Sequence, residues 1–307
     1  MPLVVRTRAV FSPRLARSFA HVLFCFRAFA LLLLLFACAC APHEPELYGR
    51  AILLVDRGRF DEARQVLTAR LSKHPEDVRA RALLIRIHGV TGNLGAAQEE
   101  ATRLSERLGP DNPRPFIELG HALELAHRYD EALELYDRAA EVAPRDPAGP
   151  REGGLRAAAW GEHELSRPRL EEAIRRAPRD PALWHALGVV CLGLAAVDDA
   201  EHAYRSGLVA DPHALENRLG LATVALVRDD PAAALREYDL ILAERPRFGD
   251  AALGRSWALL RLGRLAEAEK ALVQAERSGG DRAVISRQRR ALAAAKKHLG
   301  KPEATPH

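Results

Sequence analysis

Large apolar, small and helix-breaking residues return along this chain at fixed intervals. Prolines stand at 75, 110, 144, 178, 212 and 246, one gap being 35 residues and the others 34. In the stretch RPFIELGHALELAHRYDEALELYDRAAEVAPRD the large positions are Phe116, Leu119, Tyr129 and Tyr136. The small ones are Gly120, Ala132 and Ala139, and Pro144 closes the unit. The stretch PALWHALGVVCLGLAAVDDAEHAYRSGLVADP repeats the order with Trp184, Leu187, Gly188, Ala200, Tyr204 and Pro212. The pattern predicts paired helices: a glycine lets one helix approach its partner, an alanine does the same from the other side, and large residues fill the space between pairs. Proline ends the second helix, because it lacks an N–H and disfavours a helical residue before it. Sheet-type alternation is absent, and aromatics are only 6%, which suits helix better than strand.

These positions resemble the tetratricopeptide repeat consensus, whose period is 34. The resemblance implies an all-α fold: a right-handed superhelical solenoid of about seven helix-turn-helix repeats plus a C-terminal capping helix. Carried along the chain, the register gives copies at 44–77, 78–111, 113–146, 147–180, 181–214, 215–248 and 249–282, with one extra residue at 112. The alanine of the second helix recurs as Ala63, Ala97, Ala132, Ala200, Ala234 and Ala268. Copy 4 departs, with Ser166 at that place, Pro168 two residues on, and PAGPREGG opening its first helix. Ser166 is expected to cap a shortened second helix with Pro168 in its first turn. Copy 4 reads either as a degenerate repeat that still stacks or as a hinge between 44–146 and 181–300.

Residues 283–300 lack the repeat pattern and predict a capping helix, since an array needs an end with one polar face. Val284, Ile285, Leu292 and Leu299 can share one side of it. Arg287, Arg290, Lys296 and Lys297 lie largely away from that side, where they could also meet an acidic partner or anionic lipid. Residues 301–307 read as a disordered tail.

The N-terminus is of another kind. Residues 1–27 are basic, and AFALLLLLFA at 28–37 is an apolar run of ten, too short for a comfortable membrane span of about 20 residues. A basic region, a short apolar run and then small residues read as an export signal. Leu35-Phe36-Ala37-Cys38 resembles a bacterial lipobox. The resemblance implies cleavage of residues 1–37, acylation of Cys38 and a tether over 38–43, with Cys40 a second site of weaker pattern. An uncleaved anchor over 22–41 and ordinary secretion are the alternatives, and basic residues ahead of the run keep that end cytoplasmic. Ala39 is not the aspartate that retains such proteins at the inner membrane, which points to the outer membrane facing the periplasm.

Charge narrows the function classes. The chain of 307 residues has a net charge of +4, but Arg6, Arg8, Arg14, Arg17 and Arg27 stand in 1–37 with no acid, so the remainder carries −1. That argues against a general nucleic-acid binder. Cys25, Cys38, Cys40 and Cys191 form no CxxC pair and no disulfide framework. Cys191 reads as a small core residue. No phosphate-cradling loop, zinc-protease helix or nucleophile elbow occurs. No cofactor or metal is expected, and the chain reads as non-enzymatic.

Stacked hairpins make a binding architecture. By the family resemblance, places 2, 5, 9, 12 and 13 of each copy face a concave groove. In copies 5–7 these include Val189, Leu192, Leu219, Leu226, Leu253, Trp257 and Leu260. In copies 2–3 they include Arg79, Arg86, Arg114, His121 and Glu124. The expectation is an apolar groove in the C-terminal half and a charged one in the N-terminal half, some of the leucines packing between hairpins instead. The lysine and asparagine of the carboxylate clamp found in chaperone-binding members are absent from the fifth and ninth places. A lipobox ahead of seven repeats resembles, in layout, pilotin-like lipoproteins of type IV or tight-adherence pili. Adaptors for peptidoglycan enzymes and polysaccharide exporters share that layout. The partners implied are an envelope client protein and a membrane through the lipid anchor, with a homo-oligomer as the alternative.

Overall fold

The computed structural model describes residues 44–299; Cys38, the tether, the signal and the C-terminal tail lie outside the described residues. Fifteen helices and no strand occur among the described residues. They run as α1 (Glu44–Asp56) with α2 (Phe60–Lys73), α3 (Val78–Val90) with α4 (Leu94–Leu108), and α5 (Arg114–Leu125) with α6 (Tyr129–Val142). Next come α7 (Ala148–Trp160) with α8 (His163–Arg176), α9 (Pro181–Gly193) with α10 (Val197–Ala210), α11 (Leu215–Val227) with α12 (Pro231–Glu244), and α13 (Gly249–Arg261) with α14 (Leu265–Arg277). The helix α15 (Arg282–Leu299) follows alone. Odd helices are the first members of the hairpins and even helices the second, in the seven-copy register.

The backbone repeats more strictly than the sequence does. At the fifteenth place of every copy the residue has positive φ: Gly58, Gly92, His127, Gly161, Ala195, Asp229 and Gly263, between 58° and 85°. The next residue's N–H then bonds back to a carbonyl five positions earlier. Arg59 reaches Leu54, Asn93 His88, Arg128 Leu123, Glu162 Ala157, Ala196 Cys191, Asp230 Ala225 and Arg264 Leu259, all at 2.8–2.9 Å. This is the Schellman arrangement, which ends a helix on one left-handed residue and satisfies its orphan carbonyls. Its left-handed position is one that only glycine occupies without steric cost.

The opposite turn, from one hairpin to the next, uses side chains. The N–H groups that open α5, α7 and α9 are accepted by Asn112 (3.0 Å), Asp146 (2.8 Å) and Asp180 (2.9 Å), each two residues after the periodic proline. The extra residue at 112 thus sits in a loop and does a cap's work.

The described chain divides into two compact units, one ending at Ala80 and one beginning at Arg81. In the first, α1 packs on α2 around Ala51, Leu54, Ala63, Leu67 and Leu71. In the second, from α5 to α15 each helix packs on the next, and from α7 onward each first helix also touches the first helix of the following hairpin.

Inside each hairpin the contact falls where the repeat places small residues. Ala63, Ala97, Ala132, Ala200, Ala234 and Ala268 are all fully buried. A Cβ on Gly188 would stand 2.4 Å from the ring of Tyr204, and one on Gly220 of the next hairpin 2.3 Å from the same ring. Tyr204 is 1% exposed, so it fills a slot that only two glycines leave open. Burial pushes its phenol up to about 12.

Copy 4 completes the stack, with one correction. Ser166 is not a cap: α8 already begins at His163. Ser166 instead takes the buried alanine's place, and its hydroxyl donates to the Gly154 carbonyl at 2.7 Å. Copy 7 shows the converse, Ser256 donating to the Ala268 carbonyl at 2.9 Å. Pro168 lies inside α8, where it removes a backbone donor. At the next position Arg169 donates to the Leu165 carbonyl at 2.6 Å, while its other nitrogens grip Asp137 of α6 at 2.8 and 2.6 Å and tie α8 to the preceding hairpin. The glycine-rich opening of α7 also has a use, since a Cβ on Gly149 would stand 2.4 Å from the Ala140 nitrogen of α6. The compact units part at 80/81 and not within copy 4.

The capping helix starts at Arg282, one residue before the expected boundary. Ile285 and Leu292 are buried, and Val284 packs against the cluster that holds Ile285; the side chain of Leu299 lies outside those described. Cys191 is a core residue, 1% exposed, and burial pushes its thiol up.

Left-handed strain at Ala195 should be removable. Ala195→Gly is expected to raise unfolding free energy by about 1 kcal/mol, while Gly263→Ala lowers it by a similar amount. Urea midpoints of the two variants against the parent check this; equal midpoints would mean that the turn is not held as described.

Candidate functional site

The first-helix layer of residues 81–299 carries two unlike surfaces. The charged one is built on α3, α5 and α7. Glu118 is 4% exposed, and its oxygens meet Arg86 Nε at 2.7 Å, Arg114 Nε at 3.5 Å and His121 Nδ1 at 3.7 Å. His121 Nε2 lies 3.3 Å from Glu152. Arg156 closes the network, 3.5 Å from Glu124 and 3.6 Å from Glu152. Arg151 leaves it toward Asp180, at 3.5 Å. The acids lie underneath and the guanidiniums above: Arg86 and Arg114 keep 45% and 44% of their side chains exposed. Seen from solvent, this part of the layer is a set of arginines over a floor of one buried and two half-buried acids.

The electrostatics couple three helices. Burial is the largest influence on Glu118 and opposes its charge, but His121 and Arg86 together hold its carboxyl below the ordinary 4.5. Burial likewise opposes charge on His121, yet Glu118 and Glu152 raise its pKa above 6.5. The hydrogen bond from His121 leads the influences that lower Glu152.

The other surface spans α9, α11 and α13. At the ninth place of three consecutive copies stand Val189, Thr223 and Trp257, all exposed, Val189 by 45% and Trp257 by 37%. Leu192 is half-buried against the α9–α10 core, and Leu219, Leu226 and Leu260 are half-buried against the α11–α14 core. They form the walls from which the ninth-place residues stand out. His185 lies next to this surface, its ring 5.8 Å from Tyr204; burial, the largest influence, lowers its pKa.

One sequence expectation is corrected. Leu253 does not line an open face: it is 6% exposed and packs on Leu272, Ala275 and Ile285, because α15 covers the last hairpin. Arg79 lies in the first compact unit, where its guanidinium stands 4.8 Å over the ring of Tyr48, the fifth-place residue of copy 1. The sequence reading missed Glu118 and Glu152. Both stand at the sixth place of their copies, where copies 5–7 have Ala186, Gly220 and Gly254. An acid at a place that takes a small residue in copies 1 and 5–7 was the available signal. Among the described residues, no group of three His, Cys, Asp or Glu could hold a metal ion, and no helix is long and apolar enough to cross a membrane.

One tetratricopeptide repeat model matches residues 44–87, and a second matches 84–150, 152–214 and 219–283. No curated protein matches the chain. Among solved structures, the C-terminal part of a TPR repeat-containing protein from Cytophaga hutchinsonii is similar with a TM-score of 0.56 at 15% identity, over 78% of this chain and 98% of that one. YrrB, described as a TPR protein with an unusual peptide-binding site, gives 0.50 at 17% identity, over 63% and 99%. The APC/C hetero-tetramer Cut9-Hcn1 gives 0.50 at 18% identity, over 83% and 50%. The chain therefore spans half the length of that last structure. At these identities the likeness concerns the fold.

The charged network makes a signed prediction. His121, raised above 6.5, contributes stability that is fully present below its unfolded value and is lost as pH rises through the folded one. Glu118 and Glu152, lowered from 4.5, contribute stability that is present above that value and is lost as pH falls through their folded ones. The network is therefore strongest between 4.5 and 6.5. Urea midpoints should decline as pH rises above 6.5, and His121→Ala should flatten that decline. A decline equally steep in the variant would remove the assignment.

Proposed function

Because the chain belongs to the tetratricopeptide repeat family, we propose that it is a membrane-tethered adaptor of the bacterial cell envelope. The family's fold is a scaffold for protein–protein contact, and its members bind peptide or protein partners. In this reading Cys38 is acylated, several acyl chains hold it stably where one would be marginal, and the protein faces the periplasm from the outer membrane.

The client is an envelope protein that presents an apolar segment to the surface of α9, α11 and α13, its polar flank running toward Arg86, Arg114 and Arg156. The observation that carries this is the row Val189, Thr223 and Trp257, exposed at one place of three successive hairpins. A partly exposed tryptophan between half-buried leucines is the kind of anchor on which interfaces concentrate their energy. The machine served is pilus or secretion assembly, which the lipobox-plus-repeat layout supports; peptidoglycan enzymes and polysaccharide exporters are alternative clients. A structural homo-oligomer is the second reading, separable by light scattering.

Crosslinking from native envelopes followed by pull-down identifies the client. Trp257→Ala should then weaken capture about tenfold or more, roughly 1.4–2 kcal/mol for an anchoring aromatic, with helicity unchanged. Capture at parental affinity would sink the groove assignment. Cys38→Ser should move the protein from the detergent-extracted membrane fraction to the soluble one; a variant still in membranes would sink the lipid tether.

A further inference from the structure

We propose that the outward face of α15 is a docking surface for an anionic lipid bilayer, engaged through headgroup phosphates. One side of α15 is fixed by packing: Ile285 and Leu292 are buried and Val284 is half-buried. The opposite side presents Arg287, Arg290 and Lys297, with Arg282 at its edge, all exposed. From Arg287 to Lys297 the helix rises about 15 Å.

No acidic residue lies between 282 and 297, and the nearest acids are engaged elsewhere. Asp281 accepts the N–H groups of Ala283 and Val284 at 2.7 and 2.9 Å. Glu276 binds Arg289 at 3.0 Å and Glu269 binds Lys296 at 2.7 Å. Arg290 reaches only the neutral hydroxyl of Ser286, at 3.0 Å. Arg282, Arg287, Arg290 and Lys297 are thus four exposed cations without an ion pair among the described residues.

Charge is segregated along the chain in the same sense. Residues 281–301 carry seven Lys/Arg against Asp281, a net of +6, while residues 38–280 carry −6. An anionic plane attracts this helix and repels the body, so attraction comes with orientation.

The occupant follows from what lies between the cations. Ala283, Ser286, Ala293 and Ala294 are exposed there, and none is an aromatic or large aliphatic anchor of the kind a protein interface needs. A bilayer needs no anchor, because it attracts basic residues within a Debye length by charge alone. The contact requires no acyl chain on Cys38 and stands apart from the client-binding surface of α9, α11 and α13.

The test uses the full chain and phosphatidylcholine vesicles with or without about 30% phosphatidylglycerol, at about 50 and about 500 mM salt. Residues 1–37, with five arginines, contribute equally in the parent and in every variant, so the change in the ratio of the two partition coefficients on substitution reads the contribution of α15. The parent is expected to favour the anionic vesicles about tenfold at low salt and to lose that preference at high salt. The charge reversal R287E/R290E/K297E should lower that ratio several-fold, to what residues 1–37 alone sustain, and R287Q/R290Q/K297Q should lower it less. Circular dichroism checks that both variants stay folded, and the neutral variant decides the matter if the reversal does not. A ratio that substitution leaves unchanged, or no preference in the parent, overturns the proposal. So does a poly-glutamate peptide that binds this face while anionic vesicles do not, which would make it a dock for an acidic protein.

Discussion

Each hairpin in this chain depends on two helices approaching to the distance that an alanine permits, and on one residue that turns the chain between them in the left-handed region. The buried alanine supplies the first condition in six copies. Ser166 supplies it in the seventh, at the cost of a hydroxyl that the Gly154 carbonyl satisfies. The second condition recurs at the fifteenth place of all seven copies, with the same returning hydrogen bond. Interior packing, the Tyr204 slot and the order of exposed residues all follow once these two are met.

That constraint explains why copy 4 stacks although its sequence departs from the pattern. A proline inside α8 removes one backbone donor, but Arg169 beside it bonds to Asp137 across the hairpin boundary. The turn geometry at Gly161 matches that of the regular copies. A fold built from neighbour contacts tolerates a local defect when both interfaces of the defective unit persist.

The two surfaces of the first-helix layer arise from the same repeating places filled differently. The ninth place offers Arg86 and His121 in copies 2 and 3, and Val189, Thr223 and Trp257 in copies 5 to 7. The rigid spacing of the hairpins turns that substitution along the sequence into a gradient along a surface, from charged to apolar. The capping helix adds a third character at the end, cationic outward and apolar inward.

The all-α class, the seven-copy register and the buried alanines were legible in the sequence, because period and residue size are local properties that any copy displays. Ala195 was not legible as a left-handed turn residue, since nothing in a methyl group signals a conformation that neighbouring helices impose; His127 and Asp229 are of types that tolerate it, but neither type marks it. Glu118 and Glu152 were hidden for a related reason: a buried acid becomes intelligible only when the arginines and histidine that neutralise it are brought in from adjacent hairpins. Leu253 shares its repeat place with half-buried Leu219, yet α15 covers it. The sequence determined which residues belong to each helix pair, and only tertiary packing decided which of them water still reaches, because exposure depends on the neighbour that arrives from elsewhere in the chain.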